Sequence, residues 1–353
     1  MILDRYIGKS ILLISVLALF CLVAIFSFFS LVDQLDDTGV GNYGVMEAIQ
    51  YVLLTVPRLS YELFPIATVI GSMAALGMLA NTSELAVIRT SGISRLQLAY
   101  SLMKTGIIFI VVSVLIGEVI APVSEQVAQQ KRSVALTKQI SLKTKNGFWS
   151  RDGNNYINIR KILPGDRVEQ IYIYEFDEDN QLQASISAKH AEYHEDRWIL
   201  RDIQRTEISD QHVTSTHHDT AEWEALLNPE VIEMVTIKPR YLSMYGLVNY
   251  IKYLNANNQS SKLYEQAFWS KIINPFAIIA MILLATCVVK CEGRPIGLGK
   301  RVFIGALIGV TFHLVNQVTG HLGVVYGIPP FISVTLPTIA VLSYISYSLV
   351  KKY

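Results

Sequence analysis

Long apolar stretches occupy both ends of the chain, and a more polar segment separates them. About 20 apolar residues in a helix cross the hydrocarbon core of a bilayer, where only segments with internally paired backbone groups are stable. Six stretches are therefore predicted to be transmembrane helices: Ile11–Val32, Leu59–Ala80, Leu98–Ile120, Phe268–Val289, Val302–Gly320 and Phe331–Val350. The shorter apolar stretch Val45–Val56 is predicted to be a separate helix that lies at the membrane interface and leads into the second span.

Between the third and fourth spans the pattern changes, from Phe148 onward, to an alternation of apolar and polar residues. Short β-rich segments recur at intervals of roughly 10 residues and are separated by turn residues, a pattern typical of sandwiches and jelly rolls. We therefore expect an inserted all-β domain, with Trp149, Trp198 and Trp223 in its core. Helical spacing at Leu242–Leu254 predicts a helix between this domain and the fourth span.

Basic residues in the short loops predict the orientation, because cytoplasmic loops of membrane proteins are enriched in Lys and Arg. If the N-terminus is cytoplasmic, the inner segments carry Arg5, Lys9, Arg89, Arg95, Lys290, Arg294, Lys300, Arg301, Lys351 and Lys352. On the other side, the loop at 33–58 has only Arg58, and the loop at 321–330 has no Lys or Arg. Both termini are thus predicted to be cytoplasmic and the β domain periplasmic, in a bacterial inner membrane.

The predicted fold class is an α-helical polytopic membrane protein with six transmembrane helices and an inserted periplasmic all-β, jelly-roll-like domain. Residues 1–121 hold spans one to three, with a cytoplasmic helix at 82–95. Residues 122–265 form the periplasmic β domain with its flanking helices, and residues 266–353 hold spans four to six.

Composition excludes several classes of function. Only 17% of the residues are charged and the net charge is +1, so no basic field favours nucleic acid. The Gly-rich segment Gly293–Arg301 lacks the spacing of a nucleotide-binding loop, since Arg294 stands where the first Gly is needed. We find no catalytic constellation and no metal-ligand cluster in the sequence. The chain is therefore predicted not to be an enzyme by itself and to bind no cofactor.

Two acidic residues, Glu62 and Glu118, lie near the outer ends of predicted spans. An ionisable side chain within a membrane segment is a candidate functional group, because its burial in lipid is costly. The alternative is structural: a carboxylate at a helix end reaches water and needs no further role.

The loop between the second and third spans predicts a short amphipathic helix. Thr82 or Ser83 can cap it, Glu84 lies in its first turn and Gly92 can end it. Its apolar side chains are Leu85, Val87 and Ile88, and its polar side carries Arg89. Such a helix can dock into a groove on a cytoplasmic partner. The alternative is a simple connector between two spans.

Eight segments carry a family resemblance: LDRYIGKSI (Leu3–Ile11), VDQL (Val32–Leu35), GMLANTSELAVIRTSG (Gly77–Gly92), GEVIAPVSEQ (Gly117–Gln126), WSRDGNNYI (Trp149–Ile157), NYIKYL (Asn249–Leu254), FWSKIINP (Phe268–Pro275) and VVYGIPP (Val324–Pro330). Together with the six-span plan and the inserted domain, they resemble the LptG branch of the LptF/LptG permeases, which export lipopolysaccharide. The resemblance covers essentially the whole chain.

This resemblance implies a set of partners. A member of the family pairs with an LptF-like paralogous permease and with an LptB-like ATPase dimer, which uses ATP and Mg. The complex extracts lipopolysaccharide from the inner membrane and passes it to a periplasmic bridge that includes LptC-like and LptA-like proteins. The segment Ser83–Gly92 then corresponds to the helix that enters a groove on the ATPase. Its implied contact residues are Ser83, Glu84, Leu85, Ile88, Arg89 and Gly92.

The chain departs from the family at the outer end of the first span. Similar proteins carry lysines there that face the phosphates of the lipid, whereas the matching positions here are Ser30, Asp36 and Asp37. The remaining candidates for contact with the headgroup are Arg58, Glu62, Lys131 and Arg132. Alternatively, the partner subunit supplies the positive charge, or Asp36 and Asp37 hold divalent cations that bridge to phosphate.

Acyl chains are expected to pack on the first span, and Phe26, Phe28 and Phe29 are the candidate contact residues. The alternative is that these three are ordinary side chains that face the lipid bilayer. A competing function is that of a non-transporting membrane scaffold that binds a partner through its periplasmic domain. Such a scaffold needs neither a docking helix for an ATPase nor basic residues at the headgroup level.

Overall fold

The structure is a computed structural model that describes residues 2–93, 95–136, 142–152, 154–163, 167–177, 179, 181–194, 197–209, 212–223, 238–289 and 297–350. Four of the basic residues used to predict the orientation, Lys290, Arg294, Lys351 and Lys352, lie outside these ranges. Within the ranges, six helices are long and apolar enough to cross a membrane. The helices are α1 (Ile2–Leu35), α2 (Val45–Asn81), α3 (Glu84–Thr90), α4 (Arg95–Leu115), α5 (Ala121–Leu136), α6 (Met244–Ala256), α7 (Lys262–Val288), α8 (Leu298–Val325) and α9 (Pro330–Val350). The prediction of six membrane helices around an inserted β domain is confirmed.

Helix α2 runs without a break from Val45 to Asn81, with Pro57 and Pro65 inside it. The expected separate helix at Val45–Val56 is therefore wrong. A membrane bundle tolerates a proline within a helix, because neighbouring groups satisfy the backbone that the proline frees. At 1.5 Å per residue the 37 residues span about 55 Å, longer than a bilayer core.

The third membrane helix is also longer than predicted. Helix α4 continues through a π-helical turn, Ile116–Ile120, directly into α5. The predicted domain boundary between residues 121 and 122 thus lies inside a continuous helical segment that ends at Leu136. A Cβ atom added at Gly117 would come within 2.4 Å of the Tyr61 ring, so the π-helical turn lies directly against α2.

Within the described residues, the inserted domain forms one antiparallel sheet whose six strands pair in chain order. The strands are β1 (Leu142–Asp152), β2 (Asn155–Leu163), β3 (Arg167–Phe176), β4 (Leu182–His194), β5 (Arg197–Ile208) and β6 (Val213–Trp223). Its apolar core includes Ile157, Ile173 and Ile186, which lie opposite one another in the register of β2, β3 and β4.

The three tryptophans of this domain do not share one environment. Trp198 is buried and Trp223 packs at the margin of the core. Trp149, which was expected inside, is 51% exposed and stacks on Tyr174 with ring centroids 5.9 Å apart. The expectation for Trp149 is wrong because β-strand alternation turns its side chain to the other face of the sheet.

Helix α2 forms the centre of the membrane bundle and is buried almost continuously from Leu63 to Leu79. Small residues bring its neighbours close: an added Cβ at Gly71 would lie 2.4 Å from the Cα of Ser15 on α1. Gly305 and Gly309 of α8 likewise pack directly on α2. Lipid provides no hydrophobic driving force between helices, so close packing of the backbones stabilises the bundle instead. We call the two ends of the bundle the sheet end and the α3 end.

Candidate functional site

At the α3 end, a short helix lies between the second and third spans, but it covers Glu84–Thr90 and is shorter than the predicted 82–95, because Thr82 ends α2 and Arg95 begins α4. Gly92 follows it with φ +89°, a left-handed conformation that suits glycine at the end of a helix. At its start, Ser83 has φ +61°, and the Thr82 hydroxyl donates a hydrogen bond of 2.9 Å to Glu84 Oε1. The Glu84 carboxylate also interacts with the Tyr6 hydroxyl of α1.

The apolar side chains of α3 divide between two faces. Leu85 is 2% exposed and belongs to the core of the bundle, and Ile88 packs against the same core. Val87 points the other way and is 64% exposed. Helical periodicity places residues 85 and 88 on one face and residue 87 on the opposite one. Leu85 and Ile88 therefore hold α3 to its own bundle, whereas the Val87 side chain faces outward. The Arg89 side chain lies outside the described residues.

At the sheet end, Arg58 forms the centre of a polar cluster. Its Nε lies 3.0 Å from Glu125 Oε2, and its Nη1 lies 3.4 Å from Glu62 Oε1. Nη1 also donates to the Tyr241 hydroxyl over 3.3 Å. Burial raises the pKa of the Tyr241 phenol above its ordinary value. Glu125 is only 1% exposed, so Arg58 is already neutralised by carboxylates of this chain and ties α2 to α5.

Arg132 forms a second ion pair at the same end, and it is more accessible. Its Nη2 lies 2.5 Å from Asp37 Oδ2, and its Nε donates to Gln34 Oε1 over 2.7 Å. The Arg132 side chain is 29% exposed and that of Asp37 is 40% exposed. Lys131, the next candidate, is exposed. The structure thus brings together Asp37 and Arg132, two residues that the sequence singled out for the same task.

The candidate acyl-chain contacts lie on the exposed surface of α1, with Phe26 and Phe29 on one side of the helix and Phe28 turned away from Phe26. Phe26, Phe28 and Phe29 are 44%, 63% and 61% exposed, and the rings of Phe28 and Phe29 meet edge to face at 6.0 Å. No described part of the chain covers these rings, so they are available to lipid or to another subunit.

Lys271 is a buried charged residue that the sequence pattern did not single out. Lys271 of α7 is 8% exposed, and its Nζ lies 2.6 Å from Glu118 Oε1. It lies near the start of the apolar stretch Phe268–Val289, where a lysine looks like an ordinary residue of a helix end. A general rule identifies such a residue: a lysine inside a membrane segment needs an acidic partner. Glu118 was already a candidate for that partner.

The comparisons with known proteins agree along the whole chain. A family model described as "Lipopolysaccharide export system permease LptF/LptG" matches residues 5–351. The chain belongs to the LptF/LptG family of lipopolysaccharide export permeases. It is similar to "Lipopolysaccharide export system permease protein LptG" of Escherichia coli K12, with 36% identity over 340 residues, 96% of this chain and 94% of the relative. The Haemophilus influenzae protein of the same name is 34% identical over 352 residues, 99% of this chain and 98% of the relative.

Membership in the LptF/LptG family assigns a role to the architecture. The chain is the permease subunit of a lipopolysaccharide export system and a multi-pass membrane protein. The family is one of transporter permeases, and the scaffold alternative is not favoured.

Proposed function

We propose that this chain is the LptG-type half of an ATP-driven transporter that extracts lipopolysaccharide from the inner membrane. The observation that carries the proposal is α3, a short helix ended by the left-handed Gly92, which packs on the bundle core at the end opposite to the sheet. In this proposal both termini are cytoplasmic and the sheet is periplasmic. The partners are an LptF-like permease, an LptB-like ATPase dimer that uses ATP and Mg, and LptC-like and LptA-like bridge proteins.

In this proposal the movement of the ATPase reaches the membrane helices through α3. Leu85 is buried in the core that α2 and α4 share, so a push on α3 moves the ends of the second and third spans together. Val87 and the Glu84 carboxylate are the groups that the ATPase groove would contact. Because α3 has only seven residues, its position depends on the packing of Leu85 and Ile88 against the bundle, and this packing links α3 to the spans.

The headgroup site is proposed around Arg132. A lipid phosphate binds an arginine through charge-assisted hydrogen bonds, as Asp37 does in the structure. Because both side chains are partly exposed, a phosphate can replace Asp37 on the guanidinium at modest cost. Arg58 is the weaker candidate, since two carboxylates and a phenol already surround it.

The acyl chains are proposed to lie against the exposed surface of α1. Phe26, Phe28 and Phe29 expose their aromatic rings there, and in this proposal a second permease completes a cavity around them. Closure of the ATPase dimer narrows that cavity and drives the lipid toward the sheet.

Substitution of Glu84 tests the coupling step. In the purified complex with its ATPase, Glu84→Ala and Glu84→Lys should retain ATP hydrolysis and lose lipopolysaccharide release. Thr90→Ala, an exposed change on the same helix, is the matched control and should release lipid normally. Normal release by both Glu84 variants would refute the assignment of α3.

Charge variants test the headgroup site. Arg132→Glu should reduce photo-crosslinking of lipopolysaccharide to α1, whereas Asp37→Ala removes the competing carboxylate and should increase it. Arg58→Glu serves as the comparison for the buried cluster. Unchanged crosslinking after reversal of both Arg58 and Arg132 would rule out the basic-residue version of the site.

A further inference from the structure

Three elements of the chain meet at the side chain of Glu118, at the sheet end of the bundle. Its Oε1 lies 2.6 Å from Lys271 Nζ on α7, and its Oε2 accepts the backbone N–H of Met244 over 2.7 Å. Glu118 itself belongs to the π-helical turn between α4 and α5. One carboxylate therefore joins the third span, the fourth span and the first residue of α6.

The π-helical turn supplies two acceptors to the same lysine. Besides the carboxylate of Glu118, the carbonyl oxygen of Gly117 accepts from Lys271 Nζ over 3.2 Å. Single π-helical turns inside α-helices occur frequently at functional sites. Removing one partner from a buried ion pair is costly because the other charge stays behind uncompensated. The Lys271–Glu118 pair thus makes α4 and α7 move together at this height.

Helix α6 is the element that this junction controls. Ser243 precedes it and accepts from the Gly246 N–H over 3.2 Å, while Glu118 satisfies the N–H of Met244. A carboxylate at a helix N-terminus also interacts favourably with the helix dipole. Further along α6, the Tyr250 ring lies 4.4 Å from that of Tyr264 on α7, and Tyr253 packs against the core of the sheet.

We infer that Glu118 is a positioning residue through which movement of the third and fourth spans reorients α6 and, with it, the sheet. This inference rests on the proposed transport function and adds to it a route from the membrane helices to the β domain. The physical basis is the junction itself: the ion pair fixes Glu118 to both spans, and its second oxygen fixes the start of α6.

A backbone substitution isolates the contact. Met244→Pro removes the N–H that Glu118 accepts, and the first position of a helix tolerates proline well. Ser243 already has φ −65° and ψ 161°, the conformation that a following proline requires. Met244→Ala is the matched control, because it shortens the same side chain and keeps the N–H.

The readout is the position that the lipid reaches. A photoreactive phenylalanine analogue at Phe28 reports lipopolysaccharide beside α1, and the same analogue at Trp223 reports lipid at the sheet. In the full complex with ATP, Met244→Pro should lower the Trp223-to-Phe28 crosslinking ratio about five- to tenfold relative to Met244→Ala. Glu118→Ala should do the same, while ATP hydrolysis continues.

A charge exchange separates the two arms of the junction. Glu118→Lys combined with Lys271→Glu restores the ion pair, but an ammonium group cannot accept the Met244 N–H. We expect this double variant to remain defective in the ratio. Asp4→Asn, which breaks the Lys104–Asp4 pair at the α3 end, is the control and should leave the ratio unchanged.

Several outcomes would overturn the inference. One is an equal ratio in Met244→Pro and Met244→Ala, another is rescue by the charge exchange, and a third is an equal fall of both crosslinks, as misfolding would cause. If the complex with Glu118 and Met244 intact gives no lipid crosslink at Phe28 or at Trp223, the proposed lipid route fails, and that outcome is distinct from the three that overturn the role of Glu118.

Discussion

Substitution of Gly77 by alanine tests the seam between α2 and α8. A Cβ atom at Gly77 would lie 2.4 Å from Cδ and 2.5 Å from Nη1 of Arg301. Arg301 is 6% exposed, and its Nη2 donates to Asn81 Oδ1 over 3.1 Å. The guanidinium therefore cannot keep its place once the methyl group is present. Asn81 is the last residue of α2, three positions before Glu84, so the disturbance reaches the start of α3.

Three contributions determine the expected change in the free energy of unfolding. Overpacking a tight contact costs about 1–3 kcal/mol. Loss of a hydrogen bond from a charged group costs about 1.5–3 kcal/mol more. Replacing glycine by alanine within a helix stabilises the helix by about 1 kcal/mol, which offsets part of this loss. Gly77→Ala should therefore destabilise the folded protein by about 1.5–5 kcal/mol.

Gly106→Ala is the matched control. An added Cβ there meets Ile282 and Ile279 side chains at 3.4 and 3.6 Å, which are ordinary contacts. This variant should be neutral or stabilised by up to about 1 kcal/mol. The measurement is the thermal unfolding midpoint of both variants in lipid nanodiscs, followed by ATP-driven lipid release. Equal unfolding midpoints for Gly77→Ala and Gly106→Ala would refute the prediction that a methyl group at Gly77 displaces the Arg301 side chain.

Three further predictions concern α3 and the sheet. Leu85→Ala should cost about 2–5 kcal/mol by leaving a cavity under α3, whereas Val87→Ala should leave the unfolding midpoint unchanged and weaken only ATPase binding in a pull-down. Trp198→Ala should cost about 3–5 kcal/mol of sheet stability, and Trp149→Ala should cost far less; equal midpoints would contradict the burial difference. Gly92→Ala should cost about 1–2 kcal/mol because its φ of +89° is unfavourable for any side chain, with the loss read as a lower midpoint.

The sequence determined the membrane architecture of this protein. Hydropathy is a local property, so each membrane helix could be found from its own residues, and period-two alternation similarly revealed the β domain. The short helix before Gly92 was also predictable, because a glycine that follows a short amphipathic segment is a local signal for a helix end.

Only the tertiary structure decided which side chains meet. The Val45–Val56 stretch looked separate because it is short and is followed by prolines, but packing in the bundle carries the helix through. Leu85 and Val87 look alike in the sequence, and only the position of α3 against the core buries one and exposes the other. Asp37 and Arg132 form an ion pair although they lie 95 residues apart along the chain, and Glu118 and Lys271 do so across 153 residues. Charge pairing acts over a few ångströms in space, so sequence could name these residues one by one, but only the fold could pair them.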